Sequence, residues 1–172
     1  MKNIAKVFVA ATLILGGSAT SSFAQATATA SASAQIITPI TIALVTNMNF
    51  GNIAVSPGTG GTVVLAPAST RTSTGGVTLP ATTGTVTAAN FTVSGAAAYT
   101  YAITLPSSAN LSDGATHTMA MSSFTSSPSA TGTLSGGGTQ TVTVGATLTV
   151  SAAQTPNAYT NSTAVPVTVN YN

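Results

Sequence analysis

Residues 139–151, which read TQTVTVGATLTVS, decide the fold that the sequence predicts. The apolar residues of this stretch recur at every second position, namely Val142, Val144, Ala146, Leu148 and Val150. A period of two places these side chains on one face of an extended chain and the intervening residues, mostly Thr, on the other. Gly145 in the middle predicts a bulge or a bend. The stretch therefore predicts one long strand with one face in a core.

Similar alternation occurs along most of the chain. Residues 61–66, 90–94 and 99–105 each favour a strand, and clusters of Gly, Pro, Asn and Ser separate them. Beyond the N-terminal region no stretch has the 3.6-residue period of a helix. About eight short strands with frequent turn signals predict an all-β fold, an antiparallel β-sandwich.

The last strand is predicted from the alternation at the C-terminus. Val165, Val167, Val169 and Tyr171 share one face, and Pro166 lies on the other. Proline has no N–H to donate to a strand ladder, so Pro166 predicts that this strand lies at an edge of its sheet.

The first 24 residues have the pattern of a secretory signal peptide, which we expect to be helical. Lys2 and Lys6 precede the apolar run Val7–Leu15, and Ser22-Phe23-Ala24 is a cleavage site of the small-x-small type. The run is shorter than the roughly 20 residues that span a membrane, so no transmembrane anchor is expected in the mature chain. The sequence thus predicts an exported protein of the periplasm, cell surface or extracellular space.

Residues 25–37 form a distinct N-terminal segment before the predicted β-sandwich domain at 38–172. Its apolar residues fall on even positions, among them Ala28, Ala30, Ala32, Ala34 and Ile36. Two interpretations stay open, because an Ala/Ser/Thr tract at a mature terminus is either a flexible linker or a strand with one apolar face.

Charge and chemistry exclude several classes of function. Beyond Lys6 the chain carries only Arg71 and Asp113, so its formal net charge is zero. Nucleic-acid binding is not expected, because it needs clustered Lys and Arg. One Asp, one His and no Cys are too few for a metal site, a cofactor site or ordinary acid–base catalysis. We interpret Asp113-Gly114 as a turn and His117 as an exposed strand residue, and we expect no enzyme and no small-molecule substrate.

Both ends of the sequence resemble a known family. The relevant stretches are ATATASASAQIITPITI at residues 26–42, MNFG at 48–51, PNAY at 156–159 and VPVTVNYN at 165–172. They resemble the DUF4402 family of exported bacterial proteins, with weaker similarity to spore coat U-like and chaperone–usher pilin domains. Tyr171 matches the penultimate Tyr of such pilins.

The resemblance implies an incomplete immunoglobulin-like, pilin-like sandwich whose missing strand is donated by another protein. Residues 27–36 would then be the donor strand, and the partners would be copies of this chain, other exported subunits or a chaperone. The implied function is that of a structural, fimbrial or adhesive subunit of the bacterial surface. The alternative is a complete monomer that binds carbohydrate or another surface, through Tyr99 and Tyr101 or through Thr-x-Thr pairs such as Thr147 and Thr149.

Overall fold

The computed structural model describes residues 24–161 and 164–172 of the 172-residue chain. It divides the chain into two compact units, residues 1–35 and residues 36–172. The predicted signal-peptide helix at 1–23 lies outside the described residues. Within the described residues the second unit contains thirteen strands and no helix, and the strand pairs are antiparallel in a sandwich-like arrangement, which confirms the predicted fold class.

The strands follow one another along the second unit. Their bounds are β1 Thr41–Thr46, β2 Ala54–Val55, β3 Gly61–Leu65, β4 Arg71–Gly75, β5 Val77–Thr78, β6 Ala89–Ser94, β7 Thr100–Thr104, β8 Ser108–Ser112, β9 Thr118–Ser127, β10 Thr131–Thr133, β11 Thr139–Val150, β12 Thr160–Asn161 and β13 Thr168–Tyr171.

The strand β11 organises the largest sheet, whose order is β1-β6-β11-β9-β8-β12. On one side, residues 139–144 pair with β6 and residues 146–150 pair with β3, which in turn pairs with β4. On its other side β11 pairs with β9. A smaller sheet has the order β10-β7-β13, and β2 and β5 form a separate pair. One long strand thus holds both halves of the large sheet together.

Gly145 lies where β11 changes partner from β6 to β3. A Cβ atom at this position would overlap the carbonyl oxygen of Leu65, so the close approach of the two backbones requires glycine. The register with β9 also shifts here, as the sequence predicts. The extra residue belongs to β9, where Ser123 has a φ of 49°. The irregularity is therefore shared between a glycine on one strand and a bulge on its neighbour.

The core consists of two clusters of buried apolar side chains. One lies against β3, β8, β9 and the second half of β11, and the other lies between the first half of β11 and the smaller sheet. Tyr101 of β7 is fully buried in the second cluster, and its hydroxyl donates to Gln140 Oε1 over 2.6 Å. Gly132, its cross-strand neighbour, leaves room for the ring, because a Cβ there would overlap it.

Arg71 ties three backbone segments together. Its Nη1 donates to the carbonyl oxygens of Phe50 and Asn52, the second over 2.8 Å, and its Nη2 donates to Thr83 over 3.3 Å. The side chain is half-buried, and its partners are carbonyl groups rather than a carboxylate. The guanidinium therefore fixes the course of residues 50–52, which follow β1.

Candidate assembly surface

The N-terminal segment is exposed along its whole described length. Residues 24–35 contain no strand, and each of them is exposed to solvent. The predicted apolar positions Ala28, Ala30, Ala32 and Ala34 therefore bury nothing in this structure. Ile36, the largest apolar side chain of the series, is 98% exposed. Burial of an exposed isoleucine side chain against another surface is favourable. We therefore treat this segment as one part of the candidate site.

Tyr171 attaches the start of the sandwich to its last strand. Its hydroxyl donates to the carbonyl oxygen of Thr38 over 2.8 Å and accepts from the N–H of Ala96 over 2.6 Å. The ring meets Tyr99 edge to face, with centroids 5.7 Å apart and an interplanar angle of 62°. Thr38, near the start of the second unit, is thus held beside the C-terminal end of β13.

The C-terminal strand is shorter than the alternation predicts. Val169 and Tyr171 lie in β13, whereas Val165 and Val167 precede it and are half-buried. Pro166 between them has no N–H, which explains why the ladder with β7 begins only at Thr168. Val165 packs against the first core cluster and Val167 against the second. Their side chains therefore serve the core although their backbone is not paired in a sheet.

The edge strands β1 and β13 of two different sheets lie near each other. β13 is the last strand of the smaller sheet and β1 is the last strand of the large sheet, and Cα atoms of the two come within 8 Å. Each has a strand partner on one side only among the described residues. On β1, Leu44 is 55% exposed and Val45 is 60% exposed. An unpaired edge with exposed apolar side chains and no charge is a site at which another strand can add.

A long groove begins where β1 ends. Its volume is about 1330 Å³. One wall runs from Leu44 through residues 47–55, and the other is formed by residues 154–161 and 164–167. The floor is the inner face of the large sheet, with Phe91, Leu111, Met119, Met121 and Leu148. We call this feature the groove.

The groove has an apolar floor and an uncharged rim. None of the described residues that line it is Asp, Glu, Lys, Arg or His. Phe91, Leu111 and Met119 are only partly buried, so apolar surface remains accessible inside it. Amide side chains are frequent on the walls, at Asn47, Asn49, Asn52, Gln154, Asn157 and Asn161. Such a lining suits a neutral occupant with alternating apolar and hydrogen-bonding groups.

Asp113 and His117 lie outside the groove lining, at the turn between β8 and β9. Asp113 accepts from the N–H groups of Ala115 and His117 over 2.8 and 3.2 Å, and its Oδ2 lies 2.6 Å from His117 Nδ1. The hydrogen bond from His117 holds the pKa of Asp113 below its ordinary value, and the bond from Ala115 adds to this effect. The predicted turn is confirmed, and the carboxylate serves to close it, whereas His117, expected in a strand, is exposed and lies just before β9.

Tyr99 and Tyr101 cannot form the two-tyrosine carbohydrate site that the sequence left open. Tyr101 is fully buried, whereas Tyr99 is 46% exposed and packs on Tyr171. In the described residues no three His, Cys, Asp or Glu side chains cluster as they would around a metal ion. Residues 24–161 and 164–172 also contain no helix with the length and hydropathy needed to cross a membrane.

Comparison with known proteins identifies a family. The model of DUF4402, a domain of unknown function, matches residues 40–171, which is more than half of the chain. No curated protein and no solved structure matches the chain significantly. The matched region begins just before β1 and ends with Tyr171, so it contains the sandwich and both walls of the groove. The chain belongs to the DUF4402 family.

Proposed function

We propose that this protein is an exported structural or adhesive subunit of the bacterial surface that assembles by strand addition. The observation that carries the proposal is the exposed N-terminal segment, with apolar residues on alternate positions and Ile36 98% exposed at its end. An extended segment that joins a sheet edge gains main-chain hydrogen bonds, while alternate side chains enter pockets. The partners are copies of this chain, other exported subunits or an assembly chaperone.

The charge of the chain supports association. Beyond Lys6 the formal net charge is zero, so copies do not repel one another. Edge strands of monomeric proteins are commonly protected by charged side chains, and β1 carries none. Its exposed Leu44 and Val45 instead favour contact with another chain.

Deletion of the N-terminal segment tests the proposal. The exported protein and a variant lacking residues 25–34 are compared by analytical ultracentrifugation and negative-stain electron microscopy. We expect concentration-dependent oligomers or fibres from the complete protein, and a folded monomer from the variant, because none of residues 25–34 is buried. A complete protein that stays monomeric at every concentration would contradict the proposal.

Paired substitutions provide a control that keeps the chain length. Ala32→Glu places a charge on the apolar face of the segment, and Ser31→Glu places the same charge on the opposite face. If strand addition drives assembly, the first variant loses oligomers and the second keeps them. Equal effects of the two variants would indicate a general charge effect instead.

A second candidate function is supported by the outer face of the large sheet. Pairing aligns Thr74, Thr62 and Thr149 in one row, and Thr62 Oγ1 lies 2.8 Å from Thr74 Oγ1. In the next row across, Val64 lies between Thr72 and Thr147. The hydroxyl groups of the first row, on an uncharged face, favour a module that binds carbohydrate or another polar surface.

Binding to insoluble chitin and cellulose tests this second candidate. The protein should be depleted from solution by one of these polymers, and Thr149→Asp, which interrupts the exposed row, should abolish the depletion. No depletion of the unmodified protein by either polymer would count against carbohydrate binding.

A further inference from the structure

We infer that the outer face of the large sheet pairs with the same face of a second copy of this chain and aligns assembled chains side by side. This lateral contact rests on the proposed assembly, because only a polymer repeats it along its length. It involves neither the N-terminal segment nor the groove. On β11 the residues at even positions from 142 to 150 are buried, which leaves the odd positions to form the outer face.

Strand pairing aligns the outer face in rows that are rich in hydroxyl groups. The outward side chains of β11 are Thr139, Thr141, Thr143, Thr147 and Thr149. Their partners on the neighbouring strands are Ser94, Thr92, Asn90, Ser127, Thr125, Ser122, Val64 and Thr62, and Thr125 lies opposite Gly145. The next strands across add Thr41, Ala43, Thr46, Thr72, Thr74 and Ser108. None of these aligned residues is charged or aromatic.

The absence of charge from these rows distinguishes the outer face from an ordinary solvent-exposed sheet. Surfaces of soluble domains carry roughly 25–35% Lys, Arg, Asp and Glu, and these side chains help to keep copies apart. When two identical faces meet, each charge lies near a like charge of the other copy, which opposes the contact. The aligned residues of the outer face raise no such barrier.

A face of hydroxyl groups is complementary to itself. Each Ser or Thr hydroxyl both donates and accepts, so two copies related by a two-fold axis can satisfy each other. Thr62 and Thr74 make a contact of this kind within the sheet, where their Oγ1 atoms lie 2.8 Å apart. Sites for small ligands are lined mainly by hydrophobic and aromatic side chains, which are scarce in these rows. The chemistry therefore favours a second copy as the partner.

The outer face is large enough for a contact between proteins. The twelve residues of β11 span roughly 40 Å at about 3.3 Å per residue. Up to five strands lie side by side, in the order β4-β3-β11-β9-β8, and they span roughly 24 Å at about 4.8 Å per strand. The area of the face is therefore on the order of 800 Å², which is what each partner of a standard interface buries.

A single contact of this kind is weak. Hydroxyl groups that bind one another give up equally good hydrogen bonds to water, so the net gain from each is small. A polymer repeats the contact along its length, and many weak contacts then act together. Deletion of residues 25–34, which we expect to remove the polymer, should therefore also remove the lateral contact.

Charged substitutions on the outer face test the inference in the full-length protein. Thr141 is exposed on β11, so Thr141→Glu brings like charges into the contact. The matched control is Thr104→Glu, which places the same charge at an exposed threonine of the smaller sheet. Alignment of fibres is observed by negative-stain electron microscopy and measured as the fraction of protein that pellets at low speed.

We expect side-by-side bundles from the unmodified protein and from Thr104→Glu, and single fibres with several-fold less pelleted protein from Thr141→Glu. Mixing fibres of Thr141→Glu with fibres of Thr141→Lys should restore bundles, because opposite charges then meet. Bundles from Thr141→Glu alone, or no restoration on mixing, would overturn the lateral contact and leave strand addition standing. Alignment only in the presence of chitin or cellulose would assign the face to carbohydrate instead. A protein that forms no fibre would remove the proposed function together with this contact.

Discussion

The change Tyr171→Phe tests how strongly the last strand holds the start of the sandwich. The substitution removes a hydroxyl that donates to Thr38 over 2.8 Å and accepts from the N–H of Ala96 over 2.6 Å. It keeps the ring that packs on Tyr99. A Cβ at Gly95 would overlap this hydroxyl, so the space around it is tight. Only the hydrogen bonds are therefore lost, without a large cavity.

The expected loss follows from these two bonds. The bond to Thr38 is exposed and contributes about 0.5 kcal/mol, at the lower end of the range for neutral hydrogen bonds. The N–H of Ala96 is partly buried, and leaving it without a partner costs about 1 kcal/mol or somewhat more. We expect a total loss of about 1–2 kcal/mol in the free energy of unfolding. At about 2–4 °C per kcal/mol, Tm should fall by roughly 2–8 °C.

Urea denaturation followed by circular dichroism measures this loss. The matched control is Tyr159→Phe, whose hydroxyl donates to Thr155 and accepts from Gln154, both within five residues in sequence. Because those contacts are local, the control should lose less stability than Tyr171→Phe. If the two variants are equally stable, or if Tyr171→Phe matches the unmodified protein, the reasoning about the attachment of Thr38 is wrong.

Four further predictions follow from other features. Gly132→Ala should lower the free energy of unfolding by about 1–3 kcal/mol in urea, since its Cβ would overlap the buried ring of Tyr101; unchanged stability would show that the ring can move. Arg71→Lys keeps the charge but loses the planar fork that reaches three carbonyl groups, so we expect a loss of about 1–3 kcal/mol by the same assay; full stability would contradict this role. Asp113 has a lowered pKa in the folded protein. Its contribution to the free energy of unfolding is therefore present at pH values above its ordinary pKa of about 3.9 and is lost as the pH falls through the folded pKa. The decrease in Tm at acid pH should be smaller for Asp113→Asn than for the unmodified protein. An equal decrease in both proteins would show that another group causes it. Finally, oligomer size in ultracentrifugation should stay constant between about 0.01 M and about 1 M salt, because the assembling surfaces carry no charge; dissociation by salt would reveal ionic contacts.

Strands with large alternating apolar residues could be predicted from the sequence. The expected strands at 61–66, 90–94, 99–105 and 139–151 correspond closely to β3, β6, β7 and β11. Their buried faces carry Val, Leu, Ile and Tyr, so the period of two is a signal of burial.

Strands that are stabilised mainly by pairing with a neighbouring strand have no long alternation of large apolar residues. β4 reads RTSTG and has no apolar residue, and it forms because its backbone pairs with β3. β8 reads SANLS, where Ala109 and Leu111 form only a short alternation, and it is held by pairing with β9. Conversely, residues 85–88 read TVTA and are rich in β-branched residues, but only Thr87 forms a single bridge, to Asn49. Pairing partners distant in sequence decide these cases.

The candidate site was predictable only in part. The pattern of the N-terminal segment is visible in the sequence, and in the structure each of residues 24–36 is exposed. The resemblance implied a gap for a missing strand, but the lining of the groove was not predicted, because its floor joins Phe91, Leu111 and Met119 from three strands and its walls come from opposite ends of the domain. No local pattern marks such a convergence, since each residue alone is typical of an ordinary strand.

The hydrogen bonds of Arg71 have a consequence for resistance to proteolysis. After Lys6 this arginine is the only position where a trypsin-like protease can cleave the chain. Its guanidinium is occupied by three carbonyl groups, and its backbone lies in β4, paired with β3. A protease that reads basic side chains would have to pull this strand from its sheet before cutting. The folded protein should therefore resist proteases that cleave after basic residues.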